Sequence, residues 1–389
     1  MALPVGLAPG AAADDVQSQQ WYLSAMKADQ MWKVSTGKGV KVAVIDSGVN
    51  PATPSLKGQV LVGGVPKSVA YGATKDYGGH GTTMAELIAG TGAGGGLKGL
   101  APGAKIVPYR IALKQLDDKA EAKKAPNFSR VIRAVADSDA KIISMSFGGD
   151  ISSDEEQAAV KYAASKGKLM FAASGNEAET TNANLYPASY PYVVGVSAAD
   201  NTGTVAKFSV RGRYVDLAAP GVDVPMWCDA TFRSYCGHEN GTSAATAVAS
   251  ASAALIWSAH PNWTADQVLR ALIDTAGRDW PKDTPSNYLG YGLIRPRKVL
   301  ENADYNPGPA HADPLAKENS AGSAGAAPSA SASTSAPPAK STSGGRSSAA
   351  GATSKSSDDT LPWVAVGAAA ALVVIGGAAF AVIRSRRRA

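Results

Sequence analysis

A chain of 389 residues that is 45% hydrophobic has enough apolar matter for one large core or two ordinary ones. The formal net charge is +6, and Arg384, Arg386, Arg387 and Arg388 alone account for four of those charges, leaving +2 without them. The basic balance is therefore a property of the tail, which excludes a basic nucleic-acid-binding surface and nucleic acid as a partner.

In chain order, residues 2–13 read ALPVGLAPGAAA, an apolar stretch ending in small residues at Ala11–Ala13. This pattern, without a charged stretch before it, predicts the remnant of a secretory signal over residues 1–13. Residues 14–39 follow as an N-terminal extension. From 40 to 302 the sequence reads as one domain. VKVAVI (40–45), KIISMSF (141–147), KLMFAAS (168–174) and YVVGVSA (192–198) are apolar runs of strand length. Helical patterns lie between and after them, at 80–89, 129–137, 154–166, 243–259 and 264–274. Continuous apolar strands alternating with helices predict an α/β fold, a mostly parallel sheet with helices on both faces. In such sheets chemistry gathers at the carboxyl ends of the strands.

The two cysteines, Cys228 and Cys236, form a lone C-x7-C pair. The spacing allows a small disulfide loop or two free thiols, and without a second pair it is a poor zinc signal. A disulfide would imply an oxidising compartment.

Residues 303–360 are predicted to be a disordered linker, rich in Ser, Ala, Gly and Pro and unable to bury enough apolar surface to order. About 55 such residues give an r.m.s. reach of about 40 Å. Then comes VAVGAAAALVVIGGAAFAVI, uncharged from 364 to 383 and preceded by Pro362 and Trp363. At a rise of ~1.5 Å per residue it spans the ~30 Å core of a bilayer. Residues 361–383 are thus predicted to be a transmembrane helix, and 384–389 a basic cytoplasmic tail. The positive-inside rule puts everything before the helix outside, so the protein is expected in the plasma membrane as a single-pass protein.

Three short motifs carry chemistry. In VAVIDSGV, Asp46 ends an apolar strand, either as a carboxylate at the sheet edge or as an ordinary turn aspartate. In GGHGTTMAELIAG, His80 stands among glycines at the start of a helix, where a second side chain can approach the imidazole. In NGTSAATAV, Ser243 opens a helix of small residues, either as a nucleophile in the field of the helix N-terminus or as a simple serine cap. Of the other histidines only His238, five residues before Ser243, is a rival base. The G-x-S-x-G elbow of an α/β-hydrolase is absent around Ser243.

The order Asp, His, Ser is that of the subtilisins, and the three motifs resemble the signatures of the subtilisin-like serine proteases. GLAPGAKIVPYRI (99–111), SMSFGG (144–149), AASGNE (172–177) and LAAPG (217–221) resemble further landmarks of that family, so the resemblance covers residues 20–302. QQWYLSAMKADQMWKVSTGKGVKVAVIDSGV is similar to the start of the mycosins, membrane-anchored members of the family associated with type VII secretion. A Ser/Pro/Ala-rich stalk and a C-terminal membrane helix are also their arrangement. Two departures stand out. Ala247 stands where many members have proline and Ala244 where a larger residue is usual; and the stretch from Asp14 to Asp46 is too short for the separate chaperone domain of many secreted relatives, so that, as in the mycosins, it is expected to lie against the globular part.

The resemblance implies a serine endopeptidase with the triad Asp46, His80 and Ser243 and with Asn176 in the oxyanion hole. A protein or peptide substrate would lie along Ser146, Phe147 and Gly148, with Gly175 nearby. It implies no cofactor and no metal, and as partners a secreted protein substrate, the lipid bilayer and a type VII secretion membrane complex. Glu177 reads either as a preference for basic residues or as a solvated loop glutamate. The alternative is a structural member of the secretion complex whose protease activity is dispensable.

Overall fold

The computed structural model describes residues 16–324 apart from Gln115. The expected signal remnant (1–13), transmembrane helix (361–383) and tail (384–389), with most of the expected linker, lie outside the described residues.

Among the described residues eight strands and ten α-helices follow in chain order. The strands are β1 (Lys41–Asp46), β2 (Lys105–Arg110), β3 (Ile142–Met145), β4 (Leu169–Ala173), β5 (Val193–Ala199), β6 (Val215–Pro220), β7 (Val224–Trp227) and β8 (Tyr235–Glu239). The helices are α1 (Trp21–Ala25), α2 (Ala28–Trp32), α3 (His80–Ala89), α4 (Lys119–Lys124), α5 (Phe128–Ala136), α6 (Asp154–Ser165), α7 (Thr242–Ala259), α8 (Ala265–Thr275), α9 (Pro296–Leu300) and α10 (Ala316–Ala324). Strands β1 to β6 form one parallel sheet in the order β2-β1-β3-β4-β5-β6, and β7 and β8 form an antiparallel hairpin. The chain runs from β1 outward to β2 and then crosses back to β3. The carboxyl ends of β1 and β3 therefore flank a switch point, where open sheets of this kind place their crevice.

Burial on both faces explains the uninterrupted apolar strands. Val42 and Val44 join one core and Ala43 and Ile45 the other, the two-residue alternation of a pleated strand. The first core is filled by α3 and α7. Helix α7 is alanine-rich because it lies deep against β3, β4, β5 and β6, where small residues permit close approach. Its larger side chains, such as Leu255 and Ile256, are fully buried, each contributing about 1.5–3 kcal/mol. The second core packs α5 and α6 on the opposite face. Side-chain caps start these helices: Asn127 accepts from Arg130 N–H, and Ser153 from Glu156 N–H ahead of three acidic residues in the first turn. Thr264 and Gln267 form a capping box on α8.

The N-terminal segment is fastened to the domain. Gln17 Nε2 donates to Gly92 O and Gly96 O, Trp21 Nε1 to Val222 O, and Trp32 Nε1 to Leu100 O. At the other end, residues 303–319 of the expected linker pack on the domain: Leu315 is buried, Gln267 donates to Gly308 O, Arg270 to Ala312 O, and Tyr192 N–H to Asn319 Oδ1. Isolated apolar residues such as Leu315 and Tyr305 supply this packing, and a composition average over the segment hides them.

Among the described residues no helix is long and apolar enough to cross a membrane.

Candidate active site

Asp46 ends β1 and is fully buried. Its Oδ1 accepts from the backbone N–H of Ser47 at 2.7 Å and lies 2.8 Å from His80 Nδ1. A carboxylate only accepts, so Nδ1 carries the proton and Nε2 is left with its lone pair facing outward for base chemistry. His80 is the first residue of α3, after Gly79 in a left-handed conformation. A side chain at Gly79 would strike Asp229 O at 2.8 Å, and one at Gly81 would strike Gly48 O at 2.2 Å. The glycines beside the histidine therefore let the β7–β8 hairpin and the loop after β1 close on it.

A second carboxylate, which the sequence did not single out, organises this turn. Asp76 is buried and accepts from Gly78 N–H, Gly79 N–H, Thr82 N–H and the Thr82 hydroxyl. The Ser47 hydroxyl sits between the two acids, 2.8 Å from Asp76 Oδ1 and 3.1 Å from Asp46 Oδ1, and accepts from Gly81 N–H. Burial opposes protonation of His80, but the adjacent Asp46 carboxylate, its hydrogen bond and the charge of Asp76 outweigh it and raise the histidine above its ordinary value.

Ser243 is the second residue of α7 and not its cap, a place taken by Gly241. Its hydroxyl donates to Ser146 O at 3.1 Å, and the Ser146 hydroxyl donates back to Ser243 O at 3.0 Å. No hydrogen bond joins Ser243 Oγ to His80 among the described residues; such contacts are often loose without substrate and tighten when it binds. Helix α7 begins unbroken despite Ala247, with Thr246 Oγ1 donating to Thr242 O. Ala244 and Ala247 are both fully buried in the core.

Asn176 follows β4. Its Oδ1 accepts from Thr242 N–H at 2.9 Å and from the Thr242 hydroxyl at 3.0 Å. These donors fix the orientation of the amide and leave Nδ2 as the free end. A Cβ built on Gly241 would stand 3.7 Å from both Asn176 Nδ2 and Ser243 N. Asn176 Nδ2 and the backbone N of Ser243 thus both lie near Gly241, beside the serine. Thr242 was not visible as a site residue from the sequence.

The other expected site residues fall as follows. Ser146 touches Ser243, Phe147 packs edge-on against Phe128, and Gly148 and Gly175 lie against Leu185. Glu177 is engaged by its neighbour, accepting from Asn176 N–H at 2.8 Å. Cys228 and Cys236 are joined as a disulfide across the base of the hairpin loop. His238 lies on the exposed strand β8, 3.5 Å from Asp223, and no hydrogen bond joins it to Ser243 among the described residues. A cleft of about 820 Å³ lies elsewhere, between Tyr186, Arg213 and the start of α10, and none of the three motif residues lines it.

Residues 37–292 match the model of the subtilase family. The minor extracellular protease Epr of Bacillus subtilis (strain 168) is 33% identical over 295 residues, covering 74% of this chain and 42% of Epr. Subtilisin E of Bacillus subtilis (strain 168) is 34% identical over 290 residues, covering 73% of this chain and 71% of its own length. The chain thus spans less than half of Epr and about seven-tenths of subtilisin E. Among solved structures, the MycP3 protease from the type VII (ESX-3) secretion system superposes with a TM-score of 0.61 at 29% identity, covering 76% of this chain and 90% of that one. On the family match, the identity with subtilisin E and the shared architecture, the chain belongs to the subtilase family of subtilisin-type serine endopeptidases, with mycosins among its structural neighbours.

Proposed function

We propose that the protein is a membrane-anchored serine endopeptidase that cleaves secreted proteins through an acyl-enzyme. The observation that carries this reading is placement: the buried Asp46–His80 pair stands at the carboxyl end of β1, and Ser243 is hydrogen-bonded to Ser146 just beyond the end of β3, the strand paired with β1. Ser243 Oγ rotates from Ser146 O toward His80 Nε2 and attacks the peptide carbonyl. His80 takes the proton and returns it to the leaving amine, while Asp46 holds the tautomer and stabilises the imidazolium. Asn176 Nδ2 and Ser243 N–H receive the oxyanion. The substrate backbone pairs along Ser146–Gly148 as an added strand, and water then hydrolyses the acyl-enzyme.

The anchor is residues 361–383, with the catalytic domain outside the plasma membrane and 384–389 in the cytoplasm. The likeness to MycP3 supports a role beside a type VII secretion membrane complex. A fluorophosphonate probe on the detergent-solubilised protein tests the nucleophile. Labelling of wild type and not of Ser243→Ala is expected, and no labelling of folded wild type would overturn the mechanism.

The Ser243–Ser146 hydrogen bond favours a second reading, in which the site rests idle and the protein chiefly stabilises the secretion complex. In that case Ser243→Ala leaves secretion intact, while deletion of residues 361–383 abolishes it.

A further inference from the structure

The hairpin of β7 and β8 meets the turn before His80 at two places. Trp227 N–H donates to Thr83 Oγ1 at 3.0 Å, and the same hydroxyl donates to Gly79 O at 2.8 Å. Asp229 O stands 2.8 Å from where a Cβ on Gly79 would be. Farther along α3, Glu86 binds the other strand of the hairpin. Its Oε2 accepts from Tyr235 OH at 2.8 Å and its Oε1 from Thr53 Oγ1 at 2.7 Å. The Tyr235 ring stacks on Trp227, with centroids 3.7 Å apart. The Trp227 indole lies beside the same carboxylate, its N–H buried and without a hydrogen bond. Glu86 is therefore fully buried among two hydroxyls and an indole, and Tyr235 is the titratable group that faces it. Strand β8 is elsewhere half-buried to exposed, so packing alone fixes the hairpin weakly.

We propose that Glu86 is a positioning residue of the reaction: through Tyr235 it seats the hairpin on the turn that carries His80, and so sets the imidazole against Ser243. This rests on the function proposed above. The ionised carboxylate is the form that suits the seat. It accepts from both hydroxyls at once, and such charge-assisted bonds are the stronger kind. A protonated Glu86 has a hydrogen to donate, so Thr53 or Tyr235 must turn and accept it. Burial raises Glu86 from 4.5 to about 7, which brings this exchange into the range where a histidine also titrates. The hairpin is therefore held more firmly above neutral pH than below it, although the buried charge lowers stability there.

The test is steady-state kinetics of the detergent-solubilised full chain on a peptide ester, with kcat referred to the sites that a fluorophosphonate labels. Tyr235→Phe keeps the ring on Trp227 and loses the donor. It should lower kcat about 10- to 100-fold with KM little changed, the effect of a misplaced general base. Glu86→Gln keeps the shape and cannot ionise. Its kcat should rise with pH through one ionisation, that of His80, where wild type rises through two. A merely structural role would lower the melting temperature and the number of labelled sites, and would leave kcat per site and the pH profile alone. The glutamine variant decides if Tyr235→Phe fails to melt cooperatively. An unmoved kcat per site in folded Tyr235→Phe overturns the inference and leaves the endopeptidase reading standing. So do two ionisations persisting in folded Glu86→Gln. Absence of any labelling of wild type overturns the reading itself, and this inference with it.

Discussion

Asn176 is oriented by Thr242: its Oδ1 accepts both the backbone N–H and the hydroxyl of that residue, at 2.9 and 3.0 Å. The same hydroxyl accepts from Gly175 N–H at 3.1 Å, so one threonine ties the donor amide to the strand end behind it. Asn176→Ala should lower kcat by about 10²–10³-fold with little change in KM. Thr242→Val, which keeps the backbone donor and loses the hydroxyl, should cost less, about tenfold in kcat. Steady-state kinetics on a peptide ester measures both, and a Thr242→Val enzyme that loses only KM would argue against the orienting role.

The pH profile follows from His80. In the proposed mechanism the imidazole must be neutral to accept the Ser243 proton; burial lowers its value, but the charges of Asp46 and Asp76 outweigh that and raise it above 6.5. The acid limb of kcat/KM should therefore lie above the ordinary histidine value. Asp76→Asn removes one of the charges that raise it, so the limb should move to lower pH in that variant. A limb that stays in place in folded Asp76→Asn would assign the whole shift to Asp46.

Glu86 gives a stability prediction with a definite sign. It is fully buried in α3, accepts from Thr53 Oγ1 and Tyr235 OH, and burial raises it from 4.5 to about 7. Its folded value exceeds its unfolded one, so its contribution is complete below about pH 4.5 and is lost as pH rises through about 7. The loss is on the order of 3 kcal/mol. Glu86→Gln should flatten the fall in urea midpoint between pH 5 and pH 8. An identical fall in the variant would place its cause elsewhere.

The hairpin loop closed by Cys228 and Cys236 spans a separation of eight residues. Removing the link with Cys228→Ser and Cys236→Ser should cost ~2.5 kcal/mol by loop entropy. The hairpin stays attached through Tyr235 OH to Glu86 and Trp227 N–H to Thr83 Oγ1, so fluorophosphonate labelling should survive. Loss of labelling in a folded double variant would mean that the disulfide itself shapes the site.

The packing of residues 303–319 predicts that a chain ending at 302 is less stable than one ending at 324. Leu315 alone accounts for about 1.5–3 kcal/mol. Equal melting temperatures would show that this segment adds nothing.

Much of the architecture was legible because the strands buried on both faces are continuous apolar runs. β1, β3, β4 and β5 fall within a residue or two of the stretches that predicted them. β2 and β6 were less plain for physical reasons. β2 contains Pro108, tolerated because the strand lies at the sheet edge, where a missing N–H costs no ladder bond. β6 carries Asp216, a buried acid that accepts from Gly195 N–H and interrupts the apolar pattern. The three motif residues were legible because each sits in a distinctive local setting. Ser47, Asp76 and Thr242 were not, because their roles arise only when separate segments meet. Glu86 was hidden likewise, since nothing in MAELIAG marks an acid that will face a tyrosine of the hairpin.

The placement of Ser243 has a consequence for how the protein comes into being. The serine belongs to the helix that fills the middle of the first core, and its neighbours there are strands contributed by much of the preceding chain. On the proposed mechanism a ribosome must make all eight of the described strands before the nucleophile exists at all. The helix must then dock through contacts distant in sequence, among the slower events of folding. On that mechanism emerging chains and amino-terminal fragments are proteolytically silent, and cutting power arrives with the finished core.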